Sequence, residues 1–308
     1  MVGRRWWVPW LWLSPALLLA GVFLVYPTLD TLRRSFMDAR ATRYVGFDNY
    51  RYIIDNPDPL LGDTHSALLN TLLWLIAYPL GVVVLGLLIA VLAARVRYES
   101  LAKSAVFVPM AISFVAASVI WRFMFDFNPD VGTVNAVVTE LGGYGTAWLQ
   151  NTGSPWLWLT TSGPASLPAP LQLNNFSLVM VAVWMWTGFA VVVLSAGLKG
   201  IPRELLEAAR VDGAGEWQVL RHVTLPMMLP TIAVVATTMV IQALKLFDLV
   251  WVMTGGAFQT DVIASLFFRE SFLLGNFGVG SALAVVLLLW VVPVVAFSLR
   301  RFRMDEGR

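Results

Sequence analysis

Six apolar stretches, at about residues 6–26, 68–94, 104–125, 176–198, 227–250 and 279–299, are each long enough to cross roughly 30 Å of hydrocarbon as a helix. No other feature restricts the fold so strongly. Inside lipid the backbone has to satisfy its own hydrogen bonds, and an apolar run of this length does so as an α-helix. The chain of 308 residues is 58% hydrophobic and 13% charged, against roughly 45–50% and 25% in a soluble domain. The sequence predicts an all-α, polytopic membrane protein with six transmembrane helices in a single domain, 1–308. Arg4 and Arg5 precede the first run, and Tyr26-Pro27-Thr28 follows it where a signal peptide would carry a small-residue cleavage site. A retained first helix is therefore expected.

Lys and Arg set the orientation. With the N terminus inside, the inner segments hold Arg4, Arg5, Arg95, Arg97, Lys103, Lys199, Arg203, Arg210, Arg221 and the C-terminal Arg300, Arg301, Arg303 and Arg308. The outer segments hold fewer: five near the start, offset by Asp30, Asp38, Asp48, Asp55, Asp58 and Asp63, and then Arg269. Both termini are expected in the cytoplasm. The outer segment 126–175 has no Lys or Arg and is rich in Gly and Pro, with Trp148, Trp156 and Trp158. It reads as a loop with short helical turns, serving either as a docking surface or as a cap on the bundle.

Several chemistries are excluded. No Cys is present and only two His, which removes disulfides and thiolate metal sites and leaves little for a metal centre. No G-x-x-x-x-G-K-[ST] occurs, and Gly142-Gly143 and Gly255-Gly256 lack the phosphate-holding Lys. There is no G-x-S-x-G or H-E-x-x-H, so no catalytic residues are assigned. The net charge of +2 resides beside apolar spans, which points to membrane topology and not to nucleic acid.

Between the fourth and fifth spans lies a charged segment, 199–226, too short to cross a bilayer. From Pro202 to about Val211 its periodicity predicts a helix with Ile201, Leu205, Ala208 and Ala209 on one side and Arg203, Glu207 and Arg210 opposite. Pro202 suits the first turn, Arg203 and Glu207 are spaced for an i, i+4 pair, and Asp212-Gly213 is a stop signal. A second short helix over Glu216–Val223 should end before Pro226. Amphipathicity alone fits an interfacial loop equally well. The spacing adds more. Glu207-Ala208-Ala209, then Gly213 after three residues, then Val223-x-Leu225-Pro226 after nine more, resembles the EAA signature of ATP-binding-cassette importer permeases, with Val223 in place of Ile.

That resemblance covers nearly the whole chain and implies the type I ABC importer permease fold. It implies that 199–226 is a cytoplasmic coupling loop in which Glu207, Ala208, Ala209, Asp212, Gly213, Leu225 and Pro226 engage a separate ATPase dimer. ATP and Mg2+ would be bound there, with no cofactor on this chain. It further implies a second, homologous permease and an extracytoplasmic sugar-binding protein. Phe247-Asp248-Leu249 with Thr254-Gly255-Gly256 looks like the F-type member of two-permease sugar importers, and KGIPRELLEAARVDGAGEWQ and LKLFDLVWVMTGG look closest to the α-glucoside or trehalose-type branch. Gly46-Phe47-Asp48-Asn49-Tyr50 and Asn70-Thr71 also resemble features of sugar-type permeases; Asn70 and Thr71 read equally as polar residues at a membrane interface.

Polar residues within a span mark either a path or a partner. Thr238, Gln242 and Lys245 fall on one face of a helical fifth span, and Asp248 follows Lys245 by three. Either they line a translocation path, or Lys245 and Asp248 satisfy one another while Gln242 bonds a neighbouring helix. Against the maltose-type pattern, Thr238, Gln242 and Lys245 match sugar-contacting positions, though the archetype has amides where this chain has Gln242 and Lys245. In the fourth span the matching positions are Ala182, Trp186 and Phe189, where the two aromatics could stack on a pyranose and Thr187-Gly188 could open space beside them. The implied function is import of a di- or oligosaccharide. Two other classes remain at this point: an ion-coupled secondary transporter or channel using Lys245 and Asp248, and a membrane scaffold with an amphipathic anchor.

Overall fold

The computed structural model describes residues 7–55, 64–94, 96–153 and 171–305, and in the last helix its side chains to residue 293. Arg4, Arg5, Asp58, Asp63, Arg95, Trp156, Trp158 and Arg308 lie outside the described residues. The helices in chain order are α1 (Val8–Arg34), α2 (Asp48–Asp55), α3 (Thr64–Ala93), α4 (Glu99–Ala111), α5 (Phe114–Met124), α6 (Thr133–Glu140), α7 (Leu173–Lys199), α8 (Arg203–Val211), α9 (Glu216–Leu244), α10 (Asp248–Met253), α11 (Ile263–Phe268) and α12 (Phe277–Asp305). Among the described residues, extended pairing is limited to a single bridge, Met37 with Tyr44.

Among the described residues, α1, α3, α7 and α9 are long and apolar enough to cross a membrane, and α4 with α5 adds one crossing as a bent pair. α12 is apolar over Phe277–Pro293. α3 and α7 form the centre, where small residues let the backbones approach. A Cβ on Gly81 would lie 2.8 Å from Val183, and one on Gly86 would lie 2.5 Å from the Ala190 methyl. Trp74, Tyr78, Val82, Leu178, Leu194, Val235 and Met239 fill the core between α3, α7 and α9.

Two expected continuous spans are broken. The third turns by 96° between α4 and α5. Val108–Ala111 tightens into a 3-10 turn at Pro109, Ile112 is extended, and the Ser113 hydroxyl caps α5 by accepting from the Ala116 N–H. The fifth span ends at Leu244, with Lys245 at φ −96° and ψ 3°, and restarts as α10 at Asp248. The break releases both charges from the hydrocarbon helix and places Asp248 at the positive end of α10.

The reverse holds before Pro226. The expected short helix does not stop there; Glu216–Leu244 is one helix, widened to a π-turn over Leu220–Thr224. The same widening, Gly21–Val25, precedes Pro27 in α1. In each case the wide turn accommodates the N–H that proline lacks, so the helix carries on.

Candidate functional site

The break after Leu244 creates the chemistry of the inner site. Gln242, Lys245, Phe247 and Asp248, with Trp186 of α7, Tyr78 of α3 and Phe114 of α5, line a half-open cavity of about 210 Å³. Lys245 and Asp248 are exposed to it, Gln242 and Trp186 half-buried. Among the described residues Lys245 and Asp248 form no ion pair with each other or with another side chain, so the self-satisfied pair is not what the fold builds. A cation, a carboxylate and an amide thus face one space ringed by aromatics. The Phe247 ring is set by stacking on Trp251 at 5.6 Å and by Phe268 at 5.0 Å.

The remaining expected path residues lie elsewhere. Thr238 sits on α9 with its hydroxyl donated to Val234 O, and Thr187 is buried, its hydroxyl on Val183 O at 2.6 Å. Phe189 supports Trp186 edge-on at 5.9 Å and does not line the cavity. Gly188 opens no space: the backbone of α4 fills it, with Val106 O 2.6 Å from where a Cβ would stand. Tyr78, Phe114 and Phe247 carry no polar-in-span signal; the two breaks bring Phe114 and Phe247 to the cavity, and Tyr78 meets it from the unbroken α3.

Above the cavity the connection from α10 to α11 is held by a buried amide network. Asn70 donates to Gln259 O at 2.6 Å and Asp261 O at 2.9 Å, and accepts from Asn175 Nδ2 at 3.1 Å. Thr71 Oγ1 accepts from the Ile263 N–H at 3.0 Å. Asn70 and Thr71 are fully or nearly fully buried, so they are latches and not interfacial side chains. The Gly255-Gly256 turn serves the same assembly: Gly256 at φ +77° packs where a Cβ would strike Asp261 and Arg269, and Gly255 O accepts from Arg269 Nη2. Between α1 and α2, Asn49 Nδ2 donates to Ser35 O and Met37 O, and Tyr50 OH to Ser35 Oγ, fixing α2 against the end of α1.

The charged segment forms two helices in succession. α8 is capped by Pro202, not begun by it, and the Arg203 with Glu207 pair is absent among the described residues; Arg210 instead pairs with Glu216 at 2.9 Å. Asp212 caps α8, and Gly213 at φ +86° turns the chain so that the Ala214 N–H reaches Ala209 O. The face differs from the sequence reading. Ile201 is buried and Leu206 packs on the core, whereas Leu205 and Ala208 are exposed beside Glu207, and Val211 and Trp217 are exposed further on. An apolar strip with a central carboxylate therefore lies unpartnered on this chain. Leu225 and Pro226, inside α9, take no part in that surface.

Residues 81–302 match the family described as binding-protein-dependent transport system inner membrane component. The osmoprotective compounds uptake permease protein GgtC of Synechocystis is 45% identical over 300 residues, covering 96% of this chain and 99% of its own. The alpha-glucoside transport system permease protein AglF of Rhizobium meliloti is 40% identical over 304 residues, covering 97% of this chain and 83% of its own. A bacterial ABC transporter that imports the acidic polysaccharide alginate has a chain of the same fold, with a TM-score of 0.74 at 23% identity over 96% of each chain. The helical bundle, the interrupted spans and the helix-turn-helix between them thus agree with sequence similarity along the whole chain, and the protein belongs to the family of binding-protein-dependent transport system inner membrane components.

Proposed function

We propose that the chain is one permease of an ATP-driven importer of a neutral di- or oligosaccharide of the α-glucoside or trehalose kind. The observation that carries this reading is the inner cavity, where Gln242, Lys245 and Asp248 oppose Trp186 and Phe247. Lys245 donates, Asp248 accepts and Gln242 does both, which matches hydroxyls that each donate and accept. The rings offer flat apolar faces for a pyranose. With one cation and one carboxylate the cavity carries no net charge to select an acidic sugar. The names of AglF and of the trehalose/maltose permease MalF of Thermococcus litoralis, 28% identical over 305 residues, favour the same substrate class.

On this reading a second, homologous permease completes the path, a sugar-binding protein delivers from outside, and an ATPase dimer binding ATP and Mg2+ docks on α8, with both termini in the cytoplasm. Leu205 and Ala208 seat in the ATPase, Glu207 supplies a charged anchor, and the Asp212-Gly213 turn passes the push into α9. Because α9 runs unbroken from Glu216 to Leu244, displacement at its inner end reaches Gln242 along one rigid element. An ion-coupled transporter built on Lys245 and Asp248 leaves the exposed face of α8 without a purpose, and the relatives lend it no support.

Copurification tests the docking. Glu207→Lys and Gly213→Pro should each release the ATPase and abolish ATP-driven uptake while the permease pair stays assembled. Undiminished ATPase recovery in both variants rules out the role given to α8.

A further inference from the structure

A second cavity, of about 350 Å³, lies at the other end of the same helices. α5 passes Phe114 to the inner cavity and Arg122 to this one, joined by Phe125 just past its end; α10 passes Asp248 to the inner and Met253 to the outer. From Phe114 to Arg122 the rise is roughly 12 Å. The outer wall repeats the chemistry of the inner: one cation, Arg122; one carboxylate, Asp126; one amide, Gln150; and aromatic rings in Phe125, Phe127 and Phe258. Arg122 is a charge within an apolar stretch, it is exposed, and among the described residues its Nη1 reaches only Val252 O at 3.3 Å.

The backbone of this wall is forced. Phe258 and Gln259 stand in succession at φ +55° and +61°, a conformation that non-glycine residues rarely take. Three buried amides hold them there. Asn174 Nδ2 donates to Phe258 O at 2.7 Å, Asn70 Nδ2 to Gln259 O at 2.6 Å, and Gln172 Nε2 to Gln259 Oε1 at 2.6 Å. All three amide residues have no exposed surface, yet Phe258 itself is 47% exposed. Backbone strain maintained by a buried network around an exposed aromatic is characteristic of a binding element.

We propose that this outer cavity is a second saccharide station, which takes a neutral hydroxylated ring before the inner cavity does, with Phe258 as stacking face and Arg122, Asp126 and Gln150 as hydroxyl partners. It rests on the reading of the chain as a saccharide path. Asp126 beside Arg122 disfavours an acidic ring and leaves donors and acceptors for a neutral one. Asn174 is a positioning residue that keeps Phe258 in place.

The chain has no Cys, so Ala147→Cys at the cavity wall accepts a single environment-sensitive fluorophore in the assembled transporter, its partner subunits freed of cysteine and the binding protein omitted. Titration with trehalose should give a saturable response. Its apparent Kd should rise at least fivefold in Phe258→Ala and Arg122→Ala, be restored by Phe258→Tyr, and stay within twofold in Gln242→Ala, which disables only the inner cavity. An alginate trisaccharide should give no response. The station is overturned if the label is silent while wild-type uptake of trehalose is intact, if Phe258→Ala and Arg122→Ala respond as wild type does, if Gln242→Ala abolishes the response, or if the response needs the binding protein. If the wild-type assembly takes up no neutral disaccharide at all, the saccharide reading has failed and the station falls with it.

Discussion

Arg269 holds Asp261 in a bidentate ion pair, Nη1 to Oδ2 and Nη2 to Oδ1, with only 2% of the Asp261 side chain exposed. The pair closes the connection between α10 and α11, and Ser265 Oγ donates to the same carboxylate. Removing either partner strands a buried charge, at about 3–5 kcal/mol. Asp261→Ala and Arg269→Ala should each lower the thermal midpoint of the detergent-solubilised protein markedly, and the double variant should lose less than the sum of the two. Gly256→Ala should reproduce the defect, since its Cβ would stand 1.7 Å from Asp261 Oδ1.

The centre of the bundle depends on contact between α3 and α7. A Cβ at Gly86 would lie 2.5 Å from that of Ala190, so Gly86→Val should force the helices apart and cost about 1–3 kcal/mol. Ala190→Gly in the same chain should recover part of the loss, which a thermal-shift comparison of the three proteins will read directly.

Glu99 ties the start of α4 to the end of α7, bonding Lys103 and accepting from Lys199 at 3.0 Å. The hydrogen bond from Lys103, then that from Lys199, holds its carboxyl below the usual carboxylate range. A depressed pKa means that the tie is complete above the unfolded value, about 4.3, and is lost as pH falls through the folded one. From about pH 5 upward the tie should therefore not vary. Glu99→Gln should raise the rate of limited trypsin cleavage after Lys199, already 69% exposed, above that of wild type at neutral pH.

Much of the bundle is legible because period and length leave few choices for a long apolar run: α3 and α7 fall within a few residues of 68–94 and 176–198. The breaks are less so. Pro109 and Pro226 have the same local chemistry, yet one marks a 96° turn and the other sits inside a continuous helix. A π-turn precedes Pro226, yet Pro79 and Pro230 sit inside continuous helices without one, and no residue pattern separates these cases from Pro109. The same limit applies to the site. Gln242, Lys245 and Asp248 announce themselves as polar residues in an apolar span, whereas Phe114 and Phe247 look like ordinary core until the breaks place them at a cavity. Asn70 resembles a helix-end residue in sequence; only its partners, far along the chain at Gln259 and Asp261, reveal a latch.

ATP-dependent uptake of labelled trehalose by proteoliposomes holding the permease pair, the ATPase and the binding protein tests the central claim, that Gln242 and Asp248 face the transported sugar. Gln242→Ala combined with Asp248→Asn should cut uptake at least tenfold while ATPase copurification and thermal midpoint match wild type. Uptake at the wild-type rate in the double variant would contradict the assignment of the inner cavity.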